Sequence, residues 1–207
     1  MKPNCIMLLI LIFSSLSARA QFSIKPDTDF RYYSDSVNHA AKIPPPDFSK
    51  ADFEMRFYVI SLSNFAHGIY IFTHAKSGKW ELTRYNFCSR DMVKLVNLEK
   101  NILPVSDLWK GRWDTLLTDH VLTLPKESKV KKRWKSSSNT IAVVGDGVYY
   151  RIELFTPNSK RRYSYSNPAE MIKTLNIDNQ ELVDINKIIR ILANETNYTE
   201  VQSVRCL

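Results

Sequence analysis

The chain has 207 residues and a formal charge of +8, and 12% of its residues are aromatic while only 5 are glycine. This composition excludes a disordered or low-complexity chain, because it supplies enough apolar and aromatic surface to form a core. No stretch after residue 20 reaches 18 apolar residues, so no membrane-spanning segment is predicted there.

The first twenty residues have the three parts of a secretory signal peptide. Lys2 supplies the positive charge, residues 6–13 form an unbroken apolar run, and residues 18–20 (ARA) place alanine at both positions that signal peptidase reads before Gln21. The apolar run is shorter than the roughly 20 residues that cross a bilayer. We therefore expect residues 1–20 to be a cleavable signal peptide rather than a retained anchor, and the mature protein to be periplasmic or extracellular.

The next thirty residues have no regular periodicity. Residues 27–29 (DTD) and 44–46 (PPP) are turn and polyproline signals. We expect residues 21–50 to be an irregular arm that either wraps around the domain or acts as a flexible spacer. In the first case its aromatic anchors would be Phe22, Phe30, Tyr32 and Tyr33.

Three strands are predicted after the arm. The segments 54–62, 69–74 and 80–87 are rich in β-branched and aromatic residues, and the loop 75–79 between the last two contains a glycine that suits a hairpin turn. These strands are expected to form an antiparallel meander.

Two helices are predicted in the middle of the chain. Ser89 has the character of an N-cap, which predicts a helix over about 90–101, and Ser106 has the character of a cap for the next helix. The apolar face of that second helix carries Trp109, Trp113, Leu116, Leu117 and His120. We expect His120 to be a core or helix-end histidine.

A polar basic stretch and a second group of strands follow. The stretch 126–138 is predicted to be a loop, and strands are predicted at 140–144, 147–155 and 161–166. The middle strand alternates apolar and mixed positions, which is typical of an antiparallel strand with one face towards water.

Two helices are predicted at the end of the chain. Asn167 followed by proline and an acid predicts a short helix over 168–175. Asp178 and Glu181 repeat the spacing of a cap and an acid, and they predict a last helix over about 179–194. Its apolar face carries Leu182, Ile185, Ile189 and Leu192.

Together these elements predict a single α+β domain over residues 51–207. We expect an antiparallel sheet of five or six strands in two meanders, with three or four helices packed on one face. The pattern lacks the alternation of strands and helices that would indicate a parallel sheet.

The cysteine count bears on the compartment. Signal cleavage would leave two of the three cysteines, Cys88 and Cys206. An oxidising compartment favours a disulfide between them, although two unpaired thiols are the alternative. In the chain-entropy model a bridge closing so long a loop stabilises the fold by about 4–5 kcal/mol.

The sequence contains no motif for catalysis, a cofactor or a metal. His67 and His74 are seven residues apart, so one strand would place them on opposite faces, and no histidine or cysteine spacing indicates zinc. Cys88 is a poor candidate nucleophile where oxidation is favoured. Paired carboxylates, as in glycoside hydrolases, would leave no sequence signal.

Two short basic segments carry a concentrated positive charge. Residues 126–135 carry a net charge of +5 and residues 160–162 carry +3, while the chain without its signal peptide carries only +6. In an up-down-up meander both segments would lie at the same edge of the sheet. The candidate anion-binding residues are Lys129, Lys131, Lys132, Arg133, Trp134, Lys135, Lys160, Arg161 and Arg162.

Basic residues interleaved with aromatic residues suit an anionic surface. A solvated loop kept soluble by its charge is the alternative. The sequence favours an exported, non-catalytic binding or scaffolding protein whose partner is an anionic envelope polymer, a lipid head group or an acidic protein. A hydrolase of an envelope polymer is the competing hypothesis, and export disfavours nucleic acid as a partner.

Overall fold

The computed structural model describes residues 22–26, 35–61, 63, 65–92, 94–130, 147–175, 179–198 and 206. The predicted signal peptide and the predicted strand at 140–144 lie outside these residues. The described elements are α1 (Asp35–Ala40), β1 (Ala51–Ser61), β2 (Ala66–Ala75), β3 (Trp80–Cys88), β4 (Val96–Leu103), α2 (Trp109–Thr118), β5 (Val148–Thr156), β6 (Ser159–Ser166), α3 (Pro168–Leu175) and α4 (Gln180–Thr196).

The six strands form one antiparallel sheet in the order β4-β3-β2-β1-β5-β6. The first four strands are one meander and the β5–β6 hairpin is the second, and β5 pairs with β1 to join them. The predicted α+β class and the predicted sheet of five or six strands in two meanders are confirmed. Among the described residues, no helix is both long and apolar enough to cross a membrane.

One face of the sheet carries the main core. Alternate residues of β1 point towards the helices, from Phe53 to Val59, and they meet the apolar faces of α2 and α4. The ring of Trp109 in α2 stacks on Phe72 at a centroid distance of 4.5 Å. Burying each such large side chain stabilises the fold by about 1.5–3 kcal/mol. The helices α2, α3 and α4 all contribute to this core, as predicted.

The opposite face of the sheet is covered by part of the N-terminal segment. Val37 of α1 is buried against residues of β1 and β2 such as Tyr58 and Ile69. Ala41 and Ile43, just beyond α1, join the same cluster. Phe22, in contrast, is buried on the helix face, where it stacks on Phe53. The prediction of an irregular segment missed α1, and the predicted anchors Phe30, Tyr32 and Tyr33 lie outside the described residues.

The predicted helix over about 90–101 is wrong, because β4 begins at Val96 and occupies the second half of that range. Ser89 does behave as a local cap: its hydroxyl accepts the Met92 amide at 2.9 Å. Met92, however, adopts a left-handed φ of 60°, which a helix does not tolerate, and the chain then pairs with β3. The unpaired edge of β3 outweighs the local helical signal.

The caps of α2 also differ from the prediction. The N-cap position is Leu108, without a side-chain hydrogen bond, and Ser106 instead donates to the Glu195 carboxylate through both its amide and its hydroxyl. His120 lies just past the C-terminus of α2, exposed and with φ of 63°, so it is a helix-end residue rather than a core residue. The Val121 amide bonds to the Leu116 carbonyl there, as in a Schellman motif.

The last two helices agree closely with the sequence. α3 covers the predicted range 168–175, and α4 extends the prediction by two residues at its C-terminus. The cap of α4 is Asn179, whose side chain accepts the Leu182 amide at 3.0 Å. The predicted cap, Asp178, lies outside the described residues.

Candidate functional site

The second basic segment lies in β6, and its arginines bind other parts of the protein. Arg161 donates to the carbonyl of Lys25 at 2.9 Å and to the carbonyls of Thr123 and Leu124 at 2.9 and 2.6 Å. These bonds hold the residues that follow α2 beside β6. Arg161 is therefore a structural link between three segments.

Arg162 points to the face covered by α1. Its Nε donates to Glu153 at 2.8 Å, and the Glu153 side chain is only 1% exposed. The Tyr58 hydroxyl donates to the other oxygen of Glu153 at 3.0 Å, and burial raises the pKa of Tyr58 well above its usual value. Three residues of this segment were predicted to bind an anion. Two of them, Arg161 and Arg162, instead bind other parts of the protein.

A second buried ion pair lies in the same layer. Arg56 donates to Glu54 at 2.6 Å and to the Pro44 carbonyl at 2.7 Å. Burial raises the pKa of Glu54 even beside this guanidinium group. Both acids of this layer, Glu54 and Glu153, are buried beneath the N-terminal segment rather than presented to solvent.

The first basic segment is only partly described. Lys126 and Lys129 are described, whereas Lys131, Lys132, Arg133, Trp134 and Lys135 lie outside the described residues. Residues 127–130 form a helical turn within the predicted loop 126–138. Glu127 accepts the Ser166 amide at 3.1 Å, so the described part lies at the C-terminal end of β6.

Lys160 lies at the other end of β6. Ser166 follows it six positions later along the extended strand, which corresponds to a distance of about 20 Å. The chain is described again at Gly147, next to Val148, whose amide donates to Asn167 at the Ser166 end. A surface shared by both basic segments stays a prediction.

The structure shows a cleft that the sequence did not indicate, here named the arm cleft. It has a volume of about 620 Å³ and lies between residues 22–24, Asp52, Lys76 and the β5–β6 turn at 156–159. Hydroxyl groups, an amide, a carboxylate and an amine line it beside apolar side chains. A volume of this size is typical of ligand-binding pockets.

A β-bulge positions the carboxylate of this cleft. The register between β1 and β2 shifts between Ala51 and Phe53, so Asp52 is the extra residue. Its carboxylate contacts His74 Nδ1 at 2.6 Å. The imidazole also packs against Phe22 and Trp80, at centroid distances of 4.9 and 5.0 Å. Bulges re-aim side chains in this way and are common near functional sites.

Lysines dominate the charge around the arm cleft. Lys76 lines it, and its ammonium donates to the Ser49 carbonyl at 3.0 Å. Lys25 and Lys160 are exposed and directly follow the lining residues Ile24 and Ser159. Lys50 also lies close, since its carbonyl accepts the Lys76 amide at 2.9 Å. Among the described residues, these cations outnumber the nearby acids, Asp47 and Asp52.

The pKa of Asp47 reflects this charge distribution. Hydrogen bonds from the Ser49 hydroxyl and amide lower its pKa, and the neighbouring charges of Lys50 and Lys76 lower it further. An anion near these residues experiences the same attraction. The cleft therefore suits a ligand that combines negative charge with hydroxyl groups.

A smaller cavity lies at the end of β3, here named the disulfide cavity. It has a volume of about 260 Å³ and is lined by Phe65, residues 88–91, Lys94, Val96 and Cys206. Cys88 and Cys206 lie at disulfide-bonding distance, with their Cα atoms 5.6 Å apart, as the cysteine count predicted. Export remains compatible with this pair, because oxidising compartments favour disulfides.

The histidines of β2 lie as the sequence predicted, on opposite faces of the strand. His74 faces the helices, whereas His67 faces the other side and contacts the Ser89 carbonyl at 2.7 Å. Among the described residues, no group of three or more His, Cys, Asp or Glu side chains is placed to hold a metal.

The Asp52–His74 pair resembles the acid–base half of a catalytic triad. Among the described residues, however, His74 has no hydrogen bond to a serine, threonine or cysteine side chain that could act as nucleophile. The described lining of the arm cleft contains a single carboxylate, and carboxylate-based glycosidases need two.

Sequence reasoning could not have found the arm cleft. Asp52 and His74 are 22 residues apart and belong to no motif, and only the bulge brings them together. No known protein family matches the chain, and no curated protein is detectably similar to it.

Proposed function

We propose that this is an exported, non-catalytic binding protein of the cell envelope or exterior, and that it binds an acidic polysaccharide in the arm cleft. The observation that carries the proposal is the cleft itself: about 620 Å³, lined by Lys76 and Asp52 and flanked by Lys25, Lys50 and Lys160.

The lining favours a polysaccharide over a lipid head group. Ser23, Asn158 and Ser159 offer hydroxyl and amide groups, which match sugar hydroxyls, and the lysines match the carboxylates or phosphates of an acidic sugar. Binding groups that combine charge with several neutral donors and acceptors are expected for a polyhydroxylated anion rather than for a compact phosphate.

A binding role is favoured over hydrolysis by the placement of the acids. Among the described residues, the carboxylate whose pKa is raised is Glu54, which lies under the N-terminal segment and lines neither described cavity. A general acid would need that raised pKa inside the cleft.

The test measures binding of the purified mature protein to an acidic polysaccharide, polygalacturonate, and to a neutral one, dextran. The double variant Lys76→Glu/Lys160→Glu should lower the affinity for polygalacturonate at least about tenfold, or about 1.4 kcal/mol. The control Lys100→Glu makes one of the same charge changes on β4, at the opposite edge of the sheet, and should lower the affinity much less.

Salt provides the second readout. The attraction should weaken steeply as ionic strength rises, because charges are screened beyond about 8 Å at physiological salt. Equal binding of dextran and polygalacturonate, or an unchanged affinity in the double variant, would refute the proposal. Shortening of the polysaccharide by the wild-type protein would favour the hydrolase.

The same binding assay tests whether the first basic segment, residues 126–135, contributes to the site. Neutralising Lys131, Lys132 and Arg133 together should lower the affinity if this segment adds to the site, and Trp134→Ala should lower it with less change in salt dependence. Wild-type affinity in the triple variant would leave the solvated-loop interpretation for residues 126–135.

A further inference from the structure

β4 is an edge strand with one side unpaired. It pairs with β3, and no other segment among the described residues pairs with its outer side. The outer N–H and C=O groups of an edge strand form a template on which a further strand can be added. The other edge of the sheet differs, because residues 121–127 lie along β6.

β4 also exposes apolar side chains. Ile102 is 81% exposed, Val96 is 49% exposed and Leu98 is 41% exposed. Lys100 lies among them, with its ammonium 5.6 Å from the centre of the Tyr85 ring. A partner strand laid along β4 would remove these apolar groups from water as well as pair the backbone.

The disulfide cavity adjoins the N-terminal end of β4, and Val96 belongs to both. Arg90 and Lys94 supply two positive charges there, and the guanidinium of Arg90 lies 5.4 Å from the centre of the Phe65 ring. The one acid among the described lining residues, Asp91, already accepts the Lys94 amide at 2.9 Å and the Ser89 hydroxyl at 3.3 Å. The cavity is therefore suited to a carboxylate.

We propose that β4 binds an extended peptide segment of a partner protein, which adds an antiparallel strand to the sheet and places a carboxylate in the disulfide cavity. An antiparallel strand has its C-terminal end beside the N-terminal end of β4, which is where Arg90 and Lys94 lie. The carboxylate thus belongs to the C-terminal end of the bound segment, as its terminus or as an acidic side chain.

A second copy of this chain fits β4 less well. Two-fold antiparallel pairing about the middle of the strand places either Glu99 opposite Glu99 or Lys100 opposite Lys100. Like charges directly opposite each other destabilise a strand pair. A heterologous peptide with apolar side chains and a terminal acid avoids this repulsion.

The test selects binders to the disulfide-intact protein from a random octapeptide library with free C-termini. Selected peptides should alternate apolar and polar residues, and their binding should require a carboxylate at the C-terminal end, either the terminus itself or an Asp or Glu side chain. The variants Ile102→Lys and Arg90→Glu/Lys94→Glu should each lower the affinity at least about tenfold. Amidating the peptide C-terminus then separates a terminal carboxylate from an acidic side chain, since only the first is lost.

Matched control variants make the same types of substitution at residues outside β4. Leu108→Lys alters another exposed apolar residue, 67% exposed, and Lys110→Glu alters an exposed cation on α2, so both should bind as the wild type does. Hydrogen exchange of residues 96–103 should slow when the peptide binds, and circular dichroism confirms that each variant is folded.

Three outcomes would overturn the proposal. The first is that no peptide is selected. The second is that selected peptides bind the Ile102→Lys variant as tightly as the wild type. The third is that the wild-type protein dimerises and Ile102→Lys abolishes the dimer, which would make a second copy the occupant of β4. Failure here would leave the arm-cleft proposal intact, because the two sites share no residue.

Discussion

The two edges of the sheet use their side chains in opposite ways. At β6 two of the three basic residues make internal contacts: Arg161 binds three carbonyls and Arg162 pairs with the buried Glu153. At β4 the apolar side chains turn outward, and Ile102 is 81% exposed. The edge with the more conspicuous sequence thus uses its arginines for internal contacts, whereas the edge with the ordinary sequence exposes apolar side chains.

This contrast has a physical cause. A covering segment brings carbonyl groups that need hydrogen bonds, and an arginine can satisfy several of them from one position because its guanidinium has five donors. A run of cations can therefore result from closing a sheet edge rather than from binding a polyanion. An uncovered edge leaves its backbone groups for another molecule.

The largest expected effect concerns how the β4 side of the sheet is held. Cys88 ends β3 next to β4, and its bond to Cys206 spans a sequence separation of 118 residues. Cys206→Ser should lower the free energy of unfolding by about 4–5 kcal/mol, because the unfolded chain loses a long covalent loop. Denaturant unfolding of the oxidised wild type and the variant measures this change. A loss below about 1 kcal/mol would show that this side of the sheet is held by packing alone.

A smaller effect is expected at the β6 edge. Arg161→Met keeps most of the alkyl chain and removes the three charge-assisted hydrogen bonds, so it should destabilise the fold by about 2–3 kcal/mol. An exposed cation on α2 serves as the control, and Lys110→Met should change stability by less than about 0.5 kcal/mol. Equal effects of the two substitutions on the denaturant midpoint would show that Arg161 does not close the edge.

The smallest effect is a pH dependence near the disulfide cavity. Burial lowers the pKa of His67, whose Nε2 contacts the Ser89 carbonyl. Below about pH 6.5 the unfolded chain binds a proton that folded His67 resists, so stability falls as the pH drops through that value. His67→Gln keeps a side-chain N–H donor and should reduce the loss of stability between pH 7 and 5, because glutamine binds no proton in this range.

Unfolding curves at several pH values measure this difference. If wild type and His67→Gln lose stability in parallel on acidification, then His67 is not the group that makes the β4 side acid-sensitive.

Periodicity was a good guide where one element buries one face. The alternation in β5 and the apolar stripe of α4 each match the core that they enter, so their positions follow from local pattern. The short helix α3 follows from Asn167 and Pro168 for the same reason, since a helix start depends on neighbours in sequence.

Local signals misled where a neighbouring strand competed. Ser89 and Asp91 make the hydrogen bonds of a helix start, yet Val96 pairs with Cys88 and Leu103 pairs with Leu82. Pairing with the edge of β3 decides the structure of this segment. The residues around position 96 do not indicate that this edge is available for pairing. Tertiary context overrides propensity in such cases.

The sequence by itself predicted the α+β class and the antiparallel pairing of the first three strands, because these follow from residue spacing and turn chemistry. It favoured the pairing of Cys88 with Cys206 through the cysteine count, with two unpaired thiols as the alternative. Only the tertiary structure decided which residues meet in the arm cleft and at β4. Asp52 reaches His74 through a bulge, and Arg161 reaches Lys25 across 136 positions of sequence. Such contacts depend on register and on which backbone groups still need partners, and both are properties of the assembled sheet.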